Sequence, residues 1–181
     1  MTIAANDPAV IAQLRDRIDT LESQNAIRAL MSDYMRLCDR LDPSTPLNEL
    51  AELFTPEAQW VSIGSRYASA YGAHSGRAAI LSMLGAYCNP PHFSFNAHFL
   101  TSEAITVSGN GGQGRWLMLQ ASTYTSGGSD LRSARLTVAF ARTRERWQIS
   151  RFETENLFSR KIASWDDAST VPVPAAPHRE Y

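Results

Sequence analysis

Apolar positions recur at helical spacing over the first forty residues. Asp7-Pro8 reads as a helix start, with an Asp side chain to cap free backbone N–H groups and Pro at the first helical position. Ile11, Leu14, Ile18 and Leu21 follow at steps of three and four. A second stripe, Ile27, Leu30, Met31, Tyr34, Leu37, Cys38 and Leu41, runs to a stop at Asp42-Pro43, and the length of the whole predicts a bend or break near Ser23 to Asn25. Pro43 to Pro46 is a loop. Leu47, Leu50, Ala51, Leu53 and Phe54 predict a short third helix ended by Thr55-Pro56.

The period then shortens to two. Trp60 to Gly64 reads as a strand and Arg66 to Ala73 as a second. A helix capped by Ser75 is expected over Gly76 to Tyr87, stopped by Asn89-Pro90-Pro91. Long strands are expected at His98 to Ser108, Gln113 to Thr125, Leu131 to Arg142 and Trp147 to Glu155, separated by Gly-rich or polar turns. Helices followed by an antiparallel meander predict an α+β fold, with N-terminal helices packed on a curved, mostly antiparallel sheet. Residues 1–160 form one domain with an N-terminal helical extension, and residues 161–181, rich in proline from Val171 on, form an irregular tail.

Composition narrows the chemistry. The chain has 181 residues, 44% hydrophobic, enough for one core without disulfide or metal staples. Net charge is −1 with scattered basic residues, which argues against nucleic acid as a partner. Lys161 is the sole lysine, so most Schiff-base and P-loop chemistry is excluded. Cys38 and Cys88 make no disulfide framework and read as reduced thiols of a cytoplasmic protein. No apolar run is long enough to span a membrane. Gly109, Gly111 and Gly114 fit a dinucleotide-loop pattern, but a strand follows where that motif needs a helix, so they read as a hairpin turn. His74, His92, His98 and His178 lack the spacing of a helical zinc pair, and no metal or cofactor is expected.

Some polar residues fall in places that need a reason. Asp39 ends a helix, where the dipole disfavours an acid. It reads either as a solvated partner of Arg36 or Arg40, or as a carboxylate held there to bind a histidine. His98 opens a strand behind an aromatic stretch. Tyr34 lies about 140° round the helix from Asp39. It reads as a core tyrosine or a proton donor. Arg151 continues the face of Trp147 and Ile149, pointing its charge at an apolar interior, and Arg135 sits mid-strand opposite Ala134, Leu136, Val138 and Phe140. Trp60, Tyr71, Phe95 and Met118 could wall an apolar pocket, or be core.

The stretches DYMRLCDRLD, LAELFTPEAQW, YGAHSGRAAILSML, NAHFLTSEAITV and RWQISRFETEN together resemble the nuclear-transport-factor-2-like superfamily, a cone-shaped α+β fold, and its SnoaL-like branch. The resemblance spans about residues 20–158. It is similar to scytalone dehydratase, bile-acid 7α-dehydratase and lindane dehydrochlorinase, which eliminate water or halide from ring substrates without a cofactor. It implies His98 as base and Asp39 as its partner, with Tyr34 and a late-strand arginine, nearest Arg151, as helpers. Arg135 is a further candidate for substrate contact. A formaldehyde-eliminating lyase of lignin-derived diarylpropanes belongs to the same broad group. The chain departs from scytalone dehydratase in lacking a second strand histidine, near Ser122 or Thr123, and in the Pro43 to Pro46 insertion. Isomerase or polyketide-cyclase activity, and a non-catalytic role like that of ring-hydroxylating-oxygenase subunits, stay open. A hydrophobic small molecule is the expected partner. Trp116, Met118 and aliphatics on outward strand faces predict a homo-oligomer, and the resemblance favours a trimer over a dimer.

Overall fold

A computed structural model describes residues 7–64, 72–144, 146–163 and 165. Among the described residues, three helices, α1 (Pro8–Cys38), α2 (Leu47–Glu52) and α3 (Arg77–Gly85), pack on one six-stranded sheet. Its strands are β1 (Phe54–Ile63), β2 (Ala73–Ser75), β3 (Phe93–Ser108), β4 (Gly111–Tyr124), β5 (Ser129–Thr143) and β6 (Arg146–Ile162). The order is β2-β1-β6-β5-β4-β3, antiparallel throughout except for the β1–β6 pair. Within it, β3 to β6 form the expected meander.

Asp7 caps α1 as expected, accepting from the Ala9 N–H at 2.9 Å. No break occurs near Ser23: α1 runs continuously from Pro8 to Cys38, Ser23 is buried, and the Gln24 side chain donates to the Ile105 carbonyl. The two stripes therefore lie on different sides of one helix. Ile27, Leu30, Met31 and Tyr34 enter the core, whereas Leu14, Ile18 and Leu21 are exposed. Strand β1 begins at Phe54, six residues before the expected start, and its fully buried Phe54 joins Ile27, Leu50 and Leu136. Each such burial contributes about 1.5–3 kcal/mol. Ser75 does not cap α3; the N-cap is Gly76, and the helix ends at Gly85 rather than Tyr87. Most of the expected strand at Arg66 to Ala73, Tyr71 included, lies outside the described residues, as do His178 and the tail from Val171.

Four single-residue insertions curve the sheet and reset which side chains face inward, one of them in β3 between Thr101 and Ala104. Ser94 is extra in β3, since Phe93 pairs with Tyr124 and Phe95 with Thr123. Ser150 is extra in β6, between the pairs Phe140–Ile149 and Ala139–Arg151. Leu157 is extra between Ala134–Asn156 and Ser133–Phe158. Past each bulge the alternation inverts. Trp116 and Met118 face inward, contrary to the outward placement expected; Leu117 is the exposed residue between them.

The glycine run is a hairpin turn, with Gly109 at φ +55°. Gly114 has a packing role: a Cβ there would lie 2.2 Å from the Trp116 ring, itself edge-on to Phe140. Gly114→Ala is expected to destabilise the fold by about 1–3 kcal/mol, and by clearly less in a Trp116→Leu background, measured by urea denaturation.

Candidate functional site

The last turns of α1, with α3 and the concave sheet face, enclose a cavity of about 300 Å³. Its position follows from how α1 ends. The final carbonyls of a helix have no partner within it. Here the Asn96 amide of β3 donates to the Cys38 carbonyl at 3.1 Å. Asp39, the next residue, caps the helix, and one of its oxygens, Oδ1, accepts twice from His98. The ring Nδ1 is at 2.6 Å and the backbone N–H at 3.1 Å. A carboxylate only accepts, so Nδ1 carries the ring proton and Nε2 keeps its lone pair. Asp39 is thus the histidine-holding acid, not a partner of Arg36 or Arg40; Arg36 pairs with Asp33.

His98 lines the cavity, and register puts its row in order. His98 pairs with Gln120 of β4, and Gln120 with Arg132 of β5, all three lining the cavity. The row beside it is Asn96, Ser122 and Asp130. Ser122, fully buried where a second histidine was missed, donates to Asn96 Oδ1 at 2.7 Å, and Gln120 donates to the same oxygen at 2.9 Å. Arg132 is held by Asp130 through Nε at 2.9 Å and Nη2 at 2.7 Å, and Tyr124 bonds both groups.

The apolar wall includes Trp60, Phe152, Met118 and Leu136. Trp60 stacks on Phe152 with centroids 5.8 Å apart and planes 7° from parallel. Its indole N–H donates to the Tyr34 hydroxyl at 3.1 Å. Tyr34 also lines the cavity, as does Cys38. Burial pushes the Tyr34 phenol well above its ordinary value, so it stays protonated. Burial likewise pushes the Cys38 thiol up to about 12, which leaves it a poor nucleophile.

The structure thus brings His98, Asp39, Tyr34, Trp60 and Met118 together. Three expected residues lie elsewhere. Arg151 is on the outer face with Glu153, at 2.9 Å, and Gln59, because the Ser150 bulge gives its inward place to Phe152. Arg135 pairs with Glu155 on the same outer face, opposite the apolar side of β5. Phe95 is about half exposed, and Phe93 takes its place in the cavity through the Ser94 bulge. Sequence reasoning missed Asn96, Gln120, Arg132 and Asn156. The signal for Arg132 was present: it shares the period-two face of Ala134 and Leu136.

A SnoaL-like domain model matches residues 19–153. No curated protein sequence matches. Solved structures of similar fold include LinA, 22% identical over 83% of this chain and 96% of that one, with a TM-score of 0.67. The LinA-type3 hexachlorocyclohexane dehydrochlorinase of Novosphingobium barchaimii LL02 is 20% identical over 83% and 97%, with a TM-score of 0.66. An NTF2-like protein with a cystatin-like fold from Novosphingobium aromaticivorans is 25% identical over 85% and 92%, with a TM-score of 0.62.

Because the folded state raises the Cys38 pKa from 9.0 to about 12, stability holds below pH 9 and is lost as pH rises through 12. Denaturation midpoints against pH should show that decline, and Cys38→Ala should make it shallower in the range before Tyr34 titrates.

Proposed function

The chain belongs to the SnoaL-like domain family, and on that premise we propose that it is a cofactor-independent lyase acting on a hydrophobic cyclic or aromatic small molecule. The observation that carries the proposal is the 2.6 Å His98–Asp39 pair at the wall of an apolar cavity. His98 Nε2 takes a proton from the substrate, and the imidazolium that forms is stabilised by the Asp39 carboxylate beside it. For loss of water or halide the proton comes from carbon, and the C–H electron pair forms a double bond as the C–O or C–halogen bond breaks. For loss of formaldehyde, as from a lignin-derived diarylpropane, the proton comes from a hydroxymethyl O–H. The C–C bond then breaks to release formaldehyde, and its electron pair forms the double bond as a neighbouring hydroxyl leaves as water. Tyr34, kept protonated by burial, is the candidate donor to the departing hydroxyl. Arg151 and Arg135, facing away, take no part in this scheme; Arg132 and Gln120, in register with His98, are the polar groups near developing charge.

An isomerase or cyclase would use the same base without a leaving group, and product mass separates the two, since only the lyase product is lighter than its substrate. In a screen of hydroxylated and halogenated aromatics by mass spectrometry, turnover should fall at least a hundredfold in His98→Ala and in Asp39→Asn, with far-ultraviolet circular dichroism unchanged. Rates near wild type in both variants would sink the base assignment. No turnover of any probe by the wild type would favour a binding or assembly role instead.

The outer sheet face suits a second copy of the chain. Phe99 is 54% exposed, Phe95 48%, Phe158 43% and Leu117 39%, on β3, β4 and β6 of the one sheet. A homo-oligomer, a trimer ahead of a dimer, should appear by light scattering at micromolar concentration, and Leu117→Arg should shift it toward monomer. A monomeric wild-type mass would refute this.

A further inference from the structure

The first stripe of α1 is apolar and yet lies in the open. Ile11, Leu14, Ile18 and Leu21 are between 36% and 59% exposed. Ile18 stands nine residues before the fully buried Ile27, about 180° round the helix, so the stripe faces away from the sheet.

Its spacing is that of a coiled-coil seam. Steps of three, four and three put Ile11 and Ile18 at the a positions of a heptad and Leu14 and Leu21 at the d positions. Isoleucine at a with leucine at d favours two parallel strands. The seam stops after Leu21, because the next a and d residues are Asn25 and Arg28, and Arg28 pairs with Glu103 of the sheet. A seam this short would not hold two isolated peptides together. Here the helix is already formed and rooted in the core from Ile27 on, so pairing carries no nucleation cost.

Charge selects the occupant and its direction. The charged residues at the flanking e and g positions are Arg15, Arg17 and Glu22, all exposed. They form no ion pair with another described residue, whereas Asp19, which pairs with Arg142 at 3.0 Å, lies outside the seam. In a parallel pair in register, Arg17 at g meets Glu22 of the second copy at e, and symmetry forms that bond twice. An antiparallel pair filling the same four layers would set Arg15 against Arg15 and Arg17 against Arg17.

We infer that the N-terminal half of α1 is a dimerisation element that pairs in parallel with the same helix of a second copy. The seam points away from the sheet, so this contact is separate from the sheet-mediated oligomer proposed above and rests neither on it nor on the lyase reading.

Disulfide trapping in the full chain tests it. Leu14→Cys puts a thiol at d, where the two copies of that residue meet in a parallel pair, while the native Cys38 and Cys88 are buried. Gln13→Cys puts one on the same exposed turn but off the seam. Under mild oxidation Leu14→Cys should give about tenfold more covalent dimer than Gln13→Cys, since the seam holds its two thiols at contact distance. Adding Arg17→Glu should cut that yield severalfold, and adding Glu22→Arg as well should restore it. A yield indifferent to the charge exchange, or equal linking in Leu14→Cys and Gln13→Cys, would overturn the pairing. In an antiparallel pair Leu14 faces Ile18, so a link found only on mixing Leu14→Cys with Ile18→Cys overturns the parallel arrangement. Absence of any link leaves the stripe to a different partner and overturns the inference. The link should survive Leu117→Arg; its loss there would assign it to the sheet interface and overturn the helix pairing.

Discussion

One carboxylate oxygen ties the helical layer to the sheet where the chemistry would occur. Asp39 Oδ1 accepts from both the backbone and the ring of His98, and two residues earlier on β3 Asn96 takes the carbonyl of Cys38. A helix C-terminus repels an acid and leaves carbonyls without partners. The β3 donors answer both problems at once. In doing so they fix the imidazole tautomer, set the angle at which α1 leaves the sheet, and keep a space open between them. The same contact thus serves stability and site geometry, and removing the carboxylate would unsettle both.

Around that contact the cavity has two chemical characters. Near α1 it is an aromatic and thiol layer in which the Trp60 indole donates to Tyr34 and burial raises the Tyr34 phenol and the Cys38 thiol so that both stay protonated. Along the sheet it is polar in rows, His98 with Gln120 and Arg132, then Asn96 with Ser122 and Asp130. Rows arise because side chains on one face of adjacent strands stand opposite each other. Arg132 is tolerable there since Asp130 shares its burial and offsets its charge. A base at one side of a mostly apolar space suits a small ligand that is mostly ring.

Much of this was legible beforehand. The meander, the N-terminal helix and its Asp7 cap follow from periodicity and turn residues. The pairing of Asp39 with His98 was one of two readings the residues left open, and the family resemblance pointed to it. Arg151 was placed by counting along a strand, and counting fails at a bulge, where one extra residue inverts every later position. Ser94, Ser150 and Leu157 carry no strong local mark such as glycine or proline to announce them. Trp116 was misplaced for another reason: β4 has no bulge, and its inward row includes Trp116 and Met118. The break considered in α1 failed differently again: two stripes on different faces look like two helices when one face has no visible partner.

The sequence by itself determined the elements, their order and the residue types available for chemistry, because helix and strand periods and the near-absence of lysine are properties of neighbouring residues. Tertiary structure alone decided which arginine enters the cavity, that Gly114 makes room for a tryptophan ring, and that Asn156 is left with an unpaired oxygen. Those depend on register between strands distant along the chain, and register is set by the packing of the whole sheet against α1.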